Sequence, residues 1–251
     1  MFSSLKRIFQ KEQYHPTLLG IFINPCYFAR KELYENIRKF SEYIEGRTLD
    51  VGCGQKPYER LFSKAKGYTG FEIDNTLAKA NKKVDVFYDG KTFPFENSSF
   101  DSVVTFEVFE HVFNPEEFLK EVHRVLKDDG ALLMSASFIW GEHEQDHDYA
   151  RYSSFGLKHL LGKYGFEIVS HRKTASGIRA IFQLITSYIY KVIAVRNAYL
   201  TLLFTIVFIS PFNILGEILS KILPSNSDLY LDNVILARKS VITQKEACSL
   251  S

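Results

Sequence analysis

Leu49-Asp50-Val51-Gly52-Cys53-Gly54-Gln55-Lys56-Pro57-Tyr58 decides how this chain folds. A short apolar run ends in two glycines one residue apart, and a proline follows within three residues. That order describes a strand, a tight turn and a helix start. Glycine is required where the backbone must turn sharply and come close to a ligand with no Cβ in the way. A helix start then offers free N–H groups to a polar ligand. The stretch is therefore read as a ligand-binding turn of an α/β domain.

Working outward, 47–51 is the first strand and 57–62 opens a helix, with Pro57 at a tolerated early position. On the N-terminal side, Leu33, Ile37, Phe40 and Ile44 recur at helical spacing, so 28–45 is a helix over the sheet edge or the ligand mouth. Downstream, 67–73 is a strand that ends in Glu72 and Asp74. A third strand, 84–88, is followed by Asp89-Gly90. The turn 93–101 leads into strand 102–106, then into Glu107-Val108-Phe109-Glu110-His111. Asn114-Pro115-Glu116-Glu117 is a helix start in which Asn caps, Pro opens and Glu lies three residues after the cap. Phe118, Leu119, Val122, Val125 and Leu126 form its apolar face, and Asp129-Gly130 ends it. Strands at 131–138, 166–170 and 229–238 and a helix at 153–164 complete the pattern. Strands alternating with helices specify a doubly wound, mostly parallel seven-stranded sheet, a Rossmann-like α/β fold. Ligands of such sheets bind beyond the carboxyl ends of the strands. The glycine turn, Glu72, Asp89 and Glu107 all follow strands directly, so all can converge there.

The chain has 251 residues, enough for one α/β core with material left over. The net charge of +2 implies no nucleic-acid partner. The three cysteines, Cys26, Cys53 and Cys248, have neither disulfide-framework nor metal-ligand spacing, which fits a reducing, cytoplasmic setting. No signal peptide is expected from 1–7.

A dinucleotide turn carries a third glycine for helix packing. Pro57 stands in its place here, which disfavours a nicotinamide cofactor. Glu72, about 20 residues beyond the turn, can accept both hydroxyls of a ribose. With these residues in view the chain resembles the class I S-adenosylmethionine-dependent methyltransferases of the type-11-like branch. The resemblance rests on 49–54, Gly70-Phe71-Glu72, Asp89-Gly90 with Phe93-Pro94-Phe95, and Phe100-Asp101-Ser102-Val103. Glu110-His111-Val112, 121–127 and Gly130 extend it, so that it covers about 47–172 and the last strand. It implies S-adenosyl-L-methionine as cofactor. Asp50 and the backbone of Gly52, Cys53 and Gly54 would hold its amino-acid end, and Glu72 with Ile73 its ribose. Asp89 and Gly90 would take the adenine, and Phe106 and Glu107 the sulfonium side.

Methyl transfer needs a nucleophile in line with the activated methyl and a way to remove its proton. Glu110, His111 and His143 are the candidate catalytic groups, with packing and capping as the plain alternative for Glu110-His111. No bound metal is expected. Glu107, Glu110, His111 and His143 do resemble the ligand set of metal-assisted 2′-O-methyltransferases of small RNAs and of a quinone-pathway O-methyltransferase. The polar segment 140–152 resembles His-Glu, Asp, Arg-Tyr runs of type-11-like proteins from surface-polysaccharide gene clusters. The resemblance makes His143, Arg151 and Tyr152 substrate-side residues, and a small-molecule, saccharide or lipid-linked hydroxyl or carboxyl the acceptor. A membrane-docked cofactor-binding module without turnover is the competing function.

Residues 198–216 carry no charge, yet Pro211 and Asn213 interrupt them. The expected organisation is an N-terminal helical cap (1–46), a cofactor-binding domain (47–177 and 228–240), an apolar helical insertion (178–227) and a disordered tail (241–251). The last strand must rejoin the sheet, so a single membrane crossing is excluded. Segment 178–223 is expected to lie on the membrane interface or dip into one leaflet, at the inner face of the plasma membrane, with a buried cap or homodimer surface as the alternative and a hairpin of two full spans, turning at Arg196-Asn197, as the third reading.

Overall fold

The computed structural model describes residues 2–74, 83–144 and 146–240. The expected tail at 241–251 lies outside them. Seven strands form one sheet in the order β3-β2-β1-β4-β5-β7-β6. They are β1 (Glu45–Val51), β2 (Lys64–Ile73), β3 (Val86–Tyr88), β4 (Phe100–Phe106), β5 (Leu126–Ser137), β6 (Phe166–Lys173) and β7 (Asp232–Lys239). The pairings β1–β2, β1–β4, β2–β3 and β4–β5 are parallel. Strand β7 runs against β6, since Thr174 N–H donates to Asp232 O, Leu231 N–H to Thr174 O, and Ser240 N–H to Gly165 O. The order reverses at β1/β4, the switch point where doubly wound sheets bind ligands.

The helices are α1 (Phe2–Tyr14), α2 (Gly20–Ile23), α3 (Tyr27–Phe40), α4 (Pro115–Val125), α5 (Ser154–Lys163), α6 (Ile178–Ile193), α7 (Ala198–Phe204) and α8 (Ser210–Ile222), with a π-helical turn at Thr205–Ile209. The chain divides into two compact units. One holds Ile37–Arg172 and the C-terminal segment from Asn233. The other joins Met1–Asn36 to Lys173–Asp232, stretches far apart in sequence.

The core of the sheet unit is built from Leu49, Val51, Phe71, Val103, Leu132 and Met134 on the strands, closed by Phe118, Leu119, Val122 and Val125 of α4 and Leu157 and Leu161 of α5. Helix α4 places its apolar residues at i, i+1, i+4 and i+7, so one face is sealed while Glu116, Glu117 and Lys120 face water.

Three local expectations change. The helix at 57–62 is a single 3₁₀ turn, Glu59–Leu61. β2 already begins at Lys64, and Tyr58 and Phe62 are buried, so the chain turns straight back into the sheet. Asn114 does not cap α4 by accepting a backbone N–H; its amide donates to Glu117 Oε2 at 3.3 Å. Helix α4 ends at Val125 rather than at Asp129-Gly130, because Leu126 already pairs with Phe100 as β5. The register shifts there, and Asp129 takes a positive φ of 58°.

Within the other unit, Ala198–Ile222 forms a continuous 25-residue helical stretch, long and apolar enough to cross a membrane, with 28% of its most apolar 18-residue window buried.

Candidate functional site

The turn after β1 is tied to β2 by two donors: Gly52 N–H and Cys53 N–H reach Phe71 O at 2.8 and 3.3 Å. Gly52 has φ 71°, and a Cβ there would lie 2.3 Å from Val108 Cγ2, so only glycine fits. Gly54, at φ 46°, is the opposite case, because a Cβ there would meet nothing within 4 Å. The turn is therefore packed at its first glycine and open at its second.

Glu72 reaches back to this open side. Gly54 N–H donates to its Oε2 at 3.2 Å and Ile73 N–H to its Oε1 at 3.1 Å. Burial raises the Glu72 carboxyl above its ordinary value, against the pull of these two donors. Asp89 and Gly90 are exposed after β3, and Asp89 accepts Lys91 N–H at 3.0 Å in an Asx turn. Gly90, at φ 84°, has Ile73 Cδ1 3.0 Å from where its Cβ would be, so Ile73 and Gly90 form one wall.

Asp50 sits differently from its neighbours. It is buried, and Tyr68 Oη donates to its Oδ2 at 2.7 Å. Burial pushes its carboxyl up to about 7. Phe106 packs edge-on against Tyr58, with ring centroids 5.2 Å apart, and stacks on Phe62 at 6.3 Å.

Lys56 was not singled out by the sequence. Its Nζ lies 2.5 Å from Asp85 Oδ2, which also accepts Gly70 N–H at 2.6 Å. A Cβ on Gly70 would fall 2.2 Å from Lys56 Cε, so the glycine is what lets the lysine pass over β2. Gly70 beside a lone lysine in the turn was the available signal.

The second half of the site follows β4. Glu107 takes a positive φ of 55°, strained for a residue with a side chain. The strain is held by β5: Glu107 N–H donates to Ser135 Oγ at 3.0 Å, and Ser135 Oγ donates to Glu107 Oε1 at 2.6 Å. Ser137 Oγ lies 3.2 Å from Glu107 Oε2 and 2.9 Å from Glu110 Oε1. Glu110 is fully buried on the 3₁₀ turn Phe109–His111, and its Oε2 has no hydrogen-bond partner among the described residues. Burial, assisted by the charge of Glu107, raises its carboxyl to about 8. Ser135 and Ser137 escaped the sequence reading because alternate serines on an apolar strand resemble ordinary inward-facing positions.

Segment 140–152 is pinned onto this turn. Tyr149 N–H and Ala150 N–H donate to Glu110 O at 2.9 and 3.2 Å, and Tyr152 N–H to Ser137 O at 3.0 Å. The rings of His111 and His143 meet edge-on at 4.8 Å. His111 Nδ1 is 2.9 Å from His147 O. Burial, together with the neighbouring His111, lowers the His143 imidazole below its ordinary value. Arg151 grips Asp148 with two contacts of 2.5 and 2.7 Å and also donates to Ala150 O at 2.8 Å. That guanidinium holds the Asp148 carboxyl well below the usual carboxylate range. The Tyr152 ring packs 4.8 Å from Phe109.

Of the four groups in the metal-like set, three converge: Glu110, His111 and His143 offer ligand atoms within 4.8 Å of one another. Both carboxylate oxygens of Glu107 are instead engaged by serines. Donors sharing a divalent ion at about 2 Å lie at most about 4 Å apart, so this cluster is wider than such an ion requires. The turn side fits S-adenosylmethionine better. It offers open space beside Gly54, a carboxylate at the end of β2 able to accept a ribose diol, and an exposed carboxylate next to a glycine after β3.

Comparison with known proteins agrees with this geometry. Residues 49–134 match the family described as "Methyltransferase domain". The chain is 33% identical over 116 residues to an uncharacterized protein of Methanocaldococcus jannaschii, covering 45% of this chain and 43% of that one. It is 29% identical over 126 residues to a protein of Mycolicibacterium smegmatis described as a probable S-adenosylmethionine-dependent methyltransferase, covering 47% of this chain and 48% of that one. The chain thus spans about half the length of these two relatives. In fold it is similar to the [4+2]-cyclase SpnF, with TM-score 0.56, 18% identity, and 85% of this chain and 83% of that one covered. A similar likeness holds for a Haemonchus contortus phosphoethanolamine N-methyltransferase, with TM-score 0.54, 16% identity, and 93% and 57% covered. One fold thus carries different chemistries, and the assignment rests on the domain match and the site rather than on shape. Residues 49–134, about a third of the chain, thus match the family described as a methyltransferase domain, and the site they form is of the S-adenosylmethionine-binding kind.

Proposed function

We propose that the chain transfers a methyl group to an oxygen, a hydroxyl or carboxyl of a small-molecule, saccharide or lipid-linked acceptor. The observation that carries this reading is the buried Glu110 with its unpartnered Oε2 beside His111 and His143, directly after β4. The cofactor, when bound, supplies a methyl already activated by a sulfonium charge. Glu72 would accept the ribose hydroxyls, and Asp89 with Gly90 would take the adenine edge. Asp50 and the stretch Gly52 to Gly54 would hold the amino-acid end, with Phe106 and Glu107 on the sulfonium side.

An acceptor hydroxyl must lose its proton as the new bond forms, and an imidazole that is neutral near pH 7 is suited to take it. The lowered His143 imidazole supplies that role, with the His111 ring edge-on beside it. Glu110, held protonated by burial, can donate a hydrogen bond to the acceptor. Arg151 and Tyr152 shape the acceptor side through the pinned segment 140–152. A second reading places a divalent ion on Glu110, His111 and His143, where it would acidify the hydroxyl.

The test is transfer of a labelled methyl from S-adenosylmethionine into glycan, lipid and small-molecule fractions of a cell envelope prepared without this protein. Label in a saccharide, lipid-linked or other oxygen-bearing product supports the reading. Label confined to amines, or no label in any fraction despite cofactor binding, overturns it. Loss of transfer with a chelator, restored by a divalent ion, selects the metal-assisted form.

A further inference from the structure

Helices α6 to α8 are built inside out. Along Ala198–Ile222 the residues turned into the unit are Thr205, Ile209, Ser210, Asn213 and Gly216, mostly small or polar. Their polar donors are satisfied within the unit, while Asn213 Oδ1 is buried with no partner among the described residues. Asn213 Nδ2 donates to Ile21 O at 3.0 Å and Asn24 O at 3.1 Å, and the Thr205 and Ser210 hydroxyls bond back to Thr201 O and Ile206 O. Gly216 permits close approach, since a Cβ there would lie 2.8 Å from Phe28 Cζ. On the opposite side of the helix, Leu203, Val207 and Ile218 stand 50–52% exposed.

Helix α6 repeats the inversion in part, burying two polar residues beside Ala180 and Phe182. Gln183 and Thr186 are fully buried and bond to Pro25 O at 2.8 and 3.0 Å. Tyr188 and Val192 are exposed at 72% and 67%. In water the hydrophobic effect sorts side chains the other way. Polar and small residues inside with bulky aliphatic residues outside is the pattern of a helix whose surroundings are hydrocarbon.

We infer that the α6–α8 face docks onto one leaflet of an anionic lipid bilayer, with its helices lying along the surface. Charge sets the orientation. Between 178 and 223 the basic residues are Arg179, Lys191, Arg196 and Lys221, all near helix ends, and Glu217 is the single acid. Glu217 is already neutralised by Lys31 at 2.8 Å and Arg179 at 2.9 Å. Arg196 and Lys221, exposed beside the apolar face, are positive and complementary to anionic headgroups. Both helical segments carry basic residues at their ends and none along their apolar middles, which suits helices lying at the headgroup level better than a hairpin that must bury Arg196. This inference is independent of the acceptor proposed above.

The test is flotation of the purified full chain with vesicles of phosphatidylcholine and phosphatidylglycerol at 3:1. The wild type is expected to rise with the vesicles, less so with phosphatidylcholine alone. The triple variant Val192→Glu/Leu203→Glu/Ile218→Glu changes only exposed positions, so it should fold, bind S-adenosylmethionine as the wild type does, and lose at least about tenfold in the floated fraction. Arg196→Glu/Lys221→Glu should lose the preference for anionic vesicles. A wild type that stays at the bottom, or a triple variant that floats equally well, overturns the inference. So does a soluble dimer that ignores vesicles and dissociates in the triple variant, which would assign the face to a second copy of the chain.

Discussion

The Tyr68 hydroxyl donates to the buried Asp50 carboxyl at 2.7 Å, near the end of β1. The pair decides how the turn end responds to pH. Burial raises Asp50 to about 7, whereas an unfolded aspartate titrates near 4. The native state therefore holds a proton that the unfolded chain gives up. The associated stability is complete below about pH 4, falls as pH rises, and is lost above about 7. Asp50→Asn, which keeps an acceptor for Tyr68, should stabilise the protein at pH 8 by ~3 kcal/mol and change little at pH 4. Thermal melts at the two pH values measure it; equal effects at both would sink the explanation.

Glu110 adds to the same slope. Its carboxyl is raised to about 8 by burial and by Glu107, so its contribution also fades as pH climbs from about 4 toward 8. Glu110→Gln is isosteric with the protonated acid. Its melting temperature should vary less between pH 5 and pH 9 than that of the wild type.

Gly52 and Gly54 should separate folding from binding. Gly52→Ala drives a methyl into Val108 at a left-handed backbone position and should cost about 3 kcal/mol or more of stability. Gly54→Ala meets no atom and should cost about 1 kcal/mol, the left-handed penalty alone. Its methyl projects into the open side of the turn, so S-adenosylmethionine affinity should drop at least about tenfold. Melts and calorimetry on both variants check the contrast.

Glu72 is the only carboxylate of the turn region held by both Gly54 N–H and Ile73 N–H among the described residues. Removing it as Glu72→Ala takes away two charge-assisted acceptor positions and should weaken cofactor binding by about 100-fold. Titration calorimetry with S-adenosylmethionine and with its demethylated product reads this directly. Unchanged affinity would remove Glu72 from the ribose role.

The two histidines should act on turnover alone. His111→Ala and His143→Ala are expected to leave cofactor affinity within about twofold and to lower methyl transfer by about 10² to 10⁴. His143, whose imidazole is lowered, should set the acidic limb of the rate profile below the ordinary histidine value. Wild-type turnover in both variants would leave the cluster a packing element.

Much of the fold was carried by local signals. Apolar runs at 47–51, 67–73, 102–106 and 131–138 became β1, β2, β4 and β5 with shifted ends, because tertiary pairing rather than local preference sets where a strand stops. The 57–62 helix failed for the same reason: a proline-led helix start was locally sound, but β2 claims the chain from Lys64. Residues close in sequence to a strand end, such as Glu72, Asp89 and Glu110, could be named in advance. Ser135, Ser137, Lys56 and Asp85 could not, since their importance lies in pairing with residues 15 to 30 positions away.

By itself the sequence determined the parallel α/β class and the glycine turn after β1, since these depend on residue type at short spacing. Only the tertiary structure decided that Asp50 is sealed against Tyr68 and that Glu107 faces serines while Glu110, His111 and His143 converge. It also decided which side of α6 to α8 is turned outward. Burial and long-range pairing set those outcomes, and neither is written into any local stretch of the chain.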